Sequence, residues 1–149
     1  MMRRALFHAE RALGATVPNP MVGAVVVDRD GVVVGQGYHE RAGQPHAEVM
    51  ALDAAGARAR GATLYVTVEP CAMCIGAIIL ARIDRIVFGA KDPKAGACGS
   101  LFNIPTEPKL NHQVLVTGGI LEQESQYLLQ SFFKQLRENS PMTHSRSAQ

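Results

Sequence analysis

The apolar positions in the first third of the chain follow two different periods. Apolar residues recur at helical spacing among charged ones over residues 2–14, which predicts an amphipathic helix. A Pro-Asn-Pro run then ends any helix. Two β-branched runs follow at residues 22–27 and 32–34, and the Asp-Arg-Asp-Gly between them predicts a hairpin. Because both runs are almost continuously apolar, we expect helices to cover both faces of the sheet.

The rest of the chain alternates helical and strand patterns. Helices are predicted over residues 46–59, 71–82 and 120–137, and strands over residues 63–68, 85–88 and 114–116. A loop rich in Gly and Pro occupies residues 91–108. This order predicts an α/β fold, a three-layer α/β/α sandwich around a mixed five-stranded sheet. We expect one domain over residues 1–139 and a polar, disordered tail over residues 140–149.

Composition narrows the class of protein. The 149 residues are 47% hydrophobic and 19% charged, as in globular proteins, and the net charge of +2 is compatible with an RNA partner without requiring one. The charged N-terminal segment lacks the apolar core of a signal peptide, and no apolar run reaches the roughly 20 residues that cross a bilayer. We therefore expect a cytoplasmic protein with no membrane segment and with reduced thiols.

Two short motifs carry candidate chemistry, His-Ala-Glu at residues 46–48 and Pro-Cys-Ala-Met-Cys at residues 70–74. Each lies at the predicted first turn of a helix, where free amides and the helix dipole favour thiolate over thiol. One histidine and two thiolates give a zinc ion three protein ligands and leave its fourth tetrahedral position open, which is typical of a catalytic site. We therefore predict one Zn²⁺ per subunit, held by His46, Cys71 and Cys74.

Glu48 is predicted to be the catalytic acid and base rather than a metal ligand. Zinc lowers the pKa of bound water to about 7, and a nearby carboxylate then carries the released proton to the ring nitrogen and to the departing amine. The pattern His-x-Glu followed by Pro-Cys-x-x-Cys is typical of zinc deaminases. A redox-active Cys-x-x-Cys protein is the alternative, but it would leave His46 and Glu48 without a role. Cys98 is expected to be a half-buried thiol outside the ligand set.

The stretch from about Arg4 to Arg137 resembles the cytidine-deaminase superfamily. Its second half is similar to bacterial tRNA-specific adenosine deaminases, in the segments ATLYVTVEPCAMCIGAIILARIDRIVFGAKDPKAGACGSLFNI and LNHQVLVTGGILEQESQYLLQSFFKQLR. That resemblance implies a homodimer that converts adenosine to inosine at the wobble position of a tRNA anticodon loop. It also implies Asp92 as a substrate contact, and as possible RNA contacts Lys91, Asn111, His112, Phe133 and Lys134.

The first half is instead similar to the pyrimidine deaminase of riboflavin biosynthesis, in the segment VPNPMVGAVVVDRDGVVVGQGYHERAGQPHAEVMALDAAGARARGAT. His39 stands where the tRNA enzymes usually have asparagine, and the loop from there to the zinc histidine is shorter than theirs. This resemblance implies that Asn19 and His39 contact the ring. Ala47 and Pro70 complete the predicted substrate-binding set.

Three functions remain open on the sequence. The first is deamination of tRNA, favoured because the spacing of the cysteines, the loop at residues 91–102 and the C-terminal helix agree with one another. The second is deamination of a small molecule, either the diaminopyrimidine of the riboflavin pathway or a free base such as cytosine or guanine. The third is a zinc-binding or RNA-binding module without activity, against which the intact Glu48 argues.

Overall fold

The computed structural model describes residues 1–12, 15–16 and 19–138. The predicted domain end at residue 139 and the predicted tail lie outside the described residues. The elements in chain order are α1 (Met2–Glu10), β1 (Gly23–Val27), β2 (Val33–Tyr38), α2 (Ala47–Ala55) with a 3-10 turn after it (Gly56–Ala59), β3 (Thr63–Val68), α3 (Ala72–Leu80), β4 (Arg85–Ala90), β5 (Leu115–Thr117) and α4 (Glu122–Glu138).

The five strands form one mixed sheet in the order β2-β1-β3-β4-β5. Strand β1 runs antiparallel to β2 and β3, whereas β3, β4 and β5 run parallel to one another. At the β1–β2 turn, a carboxylate oxygen of Asp28 accepts hydrogen bonds from the backbone of Asp30 and Val32, each at 2.9 Å. The predicted hairpin and the mixed five-stranded sheet are both confirmed.

Helices cover both faces of this sheet. Neighbouring residues of a strand point to opposite faces, so Val26 packs under α2 and α3 while Val25 and Val27 pack under α1 and α4. One core cluster joins α2 and α3 to the sheet through Ala51, Leu52, Ile75, Ile78, Leu64 and Ile86. A second joins α1 and α4 to the sheet through Met2, Leu6, Leu128 and Val87. The predicted three-layer sandwich is therefore confirmed.

Strand β2 runs over Val33–Tyr38 and is longer than its predicted range of residues 32–34, since it continues through two glycines. Gly35 and Gly37 face α2, and a Cβ on Gly35 would overlap the carbonyl oxygen of Ala51. A Cβ on Gly37 would lie 2.5 Å from the Cβ of Met50. The glycines that weaken the strand pattern in the sequence are thus the residues that let α2 lie close on the sheet.

The helices are shorter than predicted, for local reasons. Helix α2 ends at Ala55 because Gly56 adopts a φ of 57°, and α3 ends at Leu80, shortly before Arg82 with a φ of 60°. Within the described part of the chain, no helix is both long enough and apolar enough to span a bilayer. The first turns of α2 and α3 both lie at the carboxyl end of β3, where the site forms.

Candidate active site

The predicted metal ligands lie together at two helix N-termini. His46 precedes α2 and Cys71 precedes α3, both with extended backbone, and Cys74 lies in the first turn of α3. The Nδ1 atom of His46 is 3.3 Å from the Sγ of Cys74 and 3.8 Å from the Sγ of Cys71. All three donor atoms lie within 4.8 Å of one another.

These separations fit a tetrahedral zinc ion. With Zn–N near 2.0 Å and Zn–S near 2.3 Å, a tetrahedral ion places its nitrogen and sulfur ligands about 3.5 Å apart. The two distances from His46 lie on either side of that value. One imidazole nitrogen and two cysteine sulfurs form a donor set found in catalytic zinc sites. A cavity lies beside them, where the fourth ligand of the zinc ion would be.

The interaction between the two thiols shifts their pKa values in opposite directions. The hydrogen bond that Cys74 donates lowers the pKa of Cys71 to about 5. The same bond, together with burial, raises the pKa of Cys74 above its usual range. Cys71 is therefore a ready thiolate at neutral pH, whereas Cys74 must lose a proton when it binds a metal.

Glu48 is buried, at 3% exposure, in the first turn of α2. Burial raises the pKa of Glu48, against the smaller opposing effect of the nearby Cys74 thiol. A carboxylate with a raised pKa beside a metal site is suited to accept a proton and to release it again.

A cavity of about 160 Å³ opens beside the donor atoms. Its lining includes six predicted site residues besides Glu48, which are Asn19, His39, His46, Ala47, Cys71 and Asp92. Pro70 and Cys74 do not line it. Pro70 is fully buried, and its carbonyl accepts a hydrogen bond from the backbone of Ala97 at 2.8 Å.

Asn19 and His39 form a hydrogen-bonded pair in the cavity wall. Their side-chain nitrogens lie 3.3 Å apart, and His39 is buried at 3% exposure. The other ring nitrogen of His39 lies 3.2 Å from the carbonyl oxygen of Pro45, directly before the zinc histidine. The ring of His39 also meets that of His46 edge to face, with centroids 5.5 Å apart. His39 thus connects Asn19 to the segment that holds His46.

The five predicted RNA contacts lie outside the cavity lining. Lys91 is exposed beside Asp92. The side chain of Asn111 accepts a hydrogen bond from Arg82 at 3.2 Å, and the ring of His112 donates to the carbonyl of Ile83 at 2.7 Å. On α4, Phe133 and Lys134 are exposed, whereas the neighbouring Phe132 is buried. The role of all five in binding RNA stays a prediction.

Sequence reasoning missed part of the cavity wall. Pro20, Val22, Val68, Glu69 and Ala95 also line it. Glu69 could have been singled out, because it directly follows a buried strand and directly precedes the zinc cysteine motif. Cys98 is half-buried and outside the metal-ligating group, as expected, and burial raises its pKa to about 12.

One imidazole, two cysteine sulfurs and a buried carboxylate at the starts of α2 and α3 define a hydrolytic zinc deaminase. The chain belongs to a family with that chemistry, since residues 1–90 match the cytidine and deoxycytidylate deaminase zinc-binding region. Zinc is therefore its cofactor, and hydrolytic deamination is its reaction class.

The chain is similar to two kinds of deaminase. It is 42% identical over 147 residues to the tRNA-specific adenosine deaminase of Bacillus subtilis, covering 92% of this chain and 89% of that protein. It is 44% identical over 146 residues to the riboflavin biosynthesis protein RibD of Aquifex aeolicus, covering 94% of this chain and 40% of that protein. The chain thus spans less than half the length of that RibD protein.

Solved structures of both kinds share the fold. RibD from Acinetobacter baumannii aligns with a TM-score of 0.77 and 40% identity, over 89% of this chain and 38% of that one. A structure from a study of A-to-I editing by tRNA:A34 deaminases at the wobble position aligns with a TM-score of 0.66 and 36% identity, over 79% of this chain and 95% of that one.

Proposed function

We propose that this chain converts adenosine to inosine at the wobble position of a tRNA. The observation that carries the proposal is that Cys71 and Cys74 lie within one turn of α3, with the loop at residues 91–102 packed on that turn. Gly96 of the loop forms a β-bridge to Cys71. These are the segments that resemble the tRNA-specific enzymes, and a relative named as such is 42% identical.

The size of the cavity supports a substrate delivered as a single base. A volume of about 160 Å³ is of the size of one base ring. The wobble base belongs to a single-stranded loop, from which an enzyme takes an unstacked base into its pocket. The attached RNA would then lie across the surface around the cavity.

Helix α4 offers a surface for that RNA. Phe132 packs beside Met21, two residues from Asn19 of the cavity wall. This places the C-terminal part of the helix against the chain segment whose Pro20 and Val22 line the cavity. Phe133 and Lys134 are exposed on it and provide a ring for stacking and a cation for phosphate.

The residues of the site have separate tasks in this reaction. His46, Cys71 and Cys74 would hold zinc, which supplies a Lewis acid that makes water a nucleophile at neutral pH. Glu48 takes one proton from the attacking water and delivers it to the ring nitrogen, and then takes the second proton from the newly added hydroxyl and delivers it to the leaving amine. Water and adenosine thereby give inosine and ammonia, and Glu48 returns to its starting state.

The test is incubation of the zinc-loaded chain with an anticodon stem-loop whose wobble base is adenosine, read by inosine content and ammonia release. Inosine should form in the RNA, while free adenosine should be left unchanged. The matched control is Glu48→Ala, which should abolish turnover while zinc stays bound. Retained turnover in that variant would disprove the assignment of Glu48, and unmodified RNA with the zinc-loaded wild type would remove the tRNA proposal.

A second candidate is deamination of the diaminopyrimidine of the riboflavin pathway. The hydrogen-bonded pair of Asn19 and His39 supports it, because both residues line the cavity and lie in the segment that resembles the riboflavin enzyme. Ammonia release from that compound in the absence of RNA would favour this candidate. Cytosine and guanine in parallel reactions test the free-base alternative.

We also propose that the chain acts as a homodimer in the cytoplasm. Met73, Gly76 and Leu80 lie three and four residues apart along α3, all exposed, and Leu80 is 80% exposed. An apolar helix face of this kind fits a second copy of the chain. Light scattering should give twice the 16.0 kDa protomer mass, and Leu80→Glu should give the protomer.

The proposed location in the cytoplasm is supported by the three free thiols, which fit a reducing compartment.

A further inference from the structure

Glu69 is a buried carboxylate that the proposed chemistry does not use. It follows β3 directly, is 4% exposed and borders the cavity. Its backbone nitrogen donates to the carbonyl of Ala90 at 2.8 Å, so the main chain at this point is fixed to β4. Glutamate is almost never this deeply buried unless its side chain is paired.

The partner of Glu69 lies 31 residues further along the chain. The hydroxyl of Ser100 donates to the Oε1 of Glu69 at 2.8 Å. The second oxygen, Oε2, is enclosed and has no hydrogen-bond partner among the residues that the structure describes. It lies against Gly96, where any added Cβ would overlap it. The loop around Gly96 therefore shields Oε2 from solvent.

Ser100 belongs to the loop at residues 91–102, and the first half of this loop lines the cavity. Asp92 and Ala95 line the cavity, and the Oδ1 of Asp92 accepts hydrogen bonds from the backbone of Lys94 and Ala95. Over residues 19–138, the bond from Ser100 to Glu69 is the one hydrogen bond between side chains that ties this loop to the rest of the fold.

We propose that Glu69 is a positioning residue that anchors the loop at residues 91–102 and thereby fixes the cavity wall formed by Asp92 and Ala95. Glu69 acts through Ser100 and takes no part in proton transfer. Its kinetic consequence rests on the proposed deaminase function. Because the wall binds substrate and takes no part in proton transfer, a loosened loop raises KM more than it lowers kcat.

The test compares four full-length, zinc-loaded variants with the wild type. Ser100→Ala removes the donor, and Ser100→Thr keeps it. Glu69→Gln keeps an oxygen that accepts from Ser100 but removes the charge, and the fourth variant combines Glu69→Gln with Ser100→Ala. KM and kcat are measured on the substrate that the wild type turns over, and hydrogen exchange is measured on the backbone amides of residues 91–102.

Ser100→Ala should raise KM about tenfold, as expected for the loss of a charge-assisted hydrogen bond, with kcat within about twofold of the wild type. Its loop amides should exchange faster, while those of α2 are unchanged. Ser100→Thr and Glu69→Gln should stay within about threefold of the wild-type KM. The double variant should be no worse than Ser100→Ala alone, because Ser100→Ala already removes the bond through which Glu69 acts.

Unchanged KM and unchanged loop exchange in Ser100→Ala would overturn the proposal. A large loss of kcat in Glu69→Gln, together with wild-type kinetics in Ser100→Ala, would also overturn it, because the charge of Glu69 would then act in the reaction itself. If Glu69→Gln fails to fold, the two Ser100 variants decide, since Ser100 is exposed. If the wild type turns over no substrate, the proposed function fails, whereas loop exchange in Ser100→Ala still decides the anchoring role.

Discussion

The ring nitrogen Nε2 of His39 lies 3.3 Å from the side-chain amide nitrogen of Asn19, and the orientation of the histidine determines what the asparagine offers to a substrate. The other nitrogen of the ring, Nδ1, faces the carbonyl oxygen of Pro45, which only accepts hydrogen bonds. Nδ1 therefore donates, and the neutral ring accepts from the amide of Asn19 through Nε2. The Oδ1 atom of Asn19 is left as an acceptor for a donor group on the base.

Replacing Asn19 should therefore weaken substrate binding more than it slows chemistry. Asn19→Ala should raise KM about threefold to tenfold with little change in kcat, the range expected for the loss of one hydrogen bond to a bound ligand. Steady-state kinetics on the stem-loop and on the diaminopyrimidine measure it. Asn103→Ala, at an exposed position outside the cavity lining, is the matched control. Equal KM values in the two variants would contradict the role of Asn19.

Zinc content should depend on Cys71 and not on Cys98. Cys71→Ala removes one of three protein ligands and should reduce bound zinc from about one per chain to a small fraction, with loss of all turnover. Cys98→Ala should keep both, because the Cys98 thiol lies outside the metal-ligating group. Metal analysis of the two purified variants measures the difference. Full zinc content in Cys71→Ala would refute the ligand set.

Zinc affinity should rise with pH. Without metal at pH 7, Cys71, with a pKa of about 5, is a thiolate, whereas the raised pKa of Cys74 keeps it a thiol. Metal binding needs both thiolates and a neutral imidazole, so between pH 7 and 8 each zinc ion displaces about one proton from Cys74 and the affinity gains about tenfold per pH unit. Below pH 5 Cys71 is protonated as well, and the dependence steepens. Competition with a chelator at several pH values measures this slope, and an affinity independent of pH would exclude the thiol state assigned to Cys74.

The metal site could be predicted from the sequence because its geometry is mostly local. Two cysteines separated by two residues at a helix start must present both sulfurs to one side, whatever the rest of the chain does. His46 and Glu48 share the first turn of another helix for the same reason. Only the approach of the two helix starts is a property of the whole fold, and the pairing of the two motifs in the sequence pointed to it.

The bond between Glu69 and Ser100 could not be predicted, because it depends on the path of a loop without periodicity. The two residues are 31 positions apart in the sequence, and no pattern in the loop predicts the position of Ser100.

The length of β2 was missed for a different reason. Glycine lowers strand propensity, so Gly35 and Gly37 look like a strand end, although their contact with α2 is what the packing requires.

That contact gives a prediction about stability. Gly35→Ala places a methyl group against the backbone of α2 at Ala51 and Ala55, where the helix cannot yield without moving off the sheet. The cost should be about 1–3 kcal/mol of unfolding free energy, as for other overpacked cores. The first turn of α2 carries His46 and Glu48, so zinc affinity should fall with it.

Urea unfolding of the zinc-loaded chain measures the stability change as a lower midpoint at unchanged slope. Asp53→Ala is the matched control, because Asp53 is exposed on the same helix, and it should stay within about 0.5 kcal/mol of the wild type. If Gly35→Ala were as stable as that control, α2 could not lie as close to β2 as the fold requires. The positions of His46 and Glu48 over the sheet would then have to be explained without the two glycines.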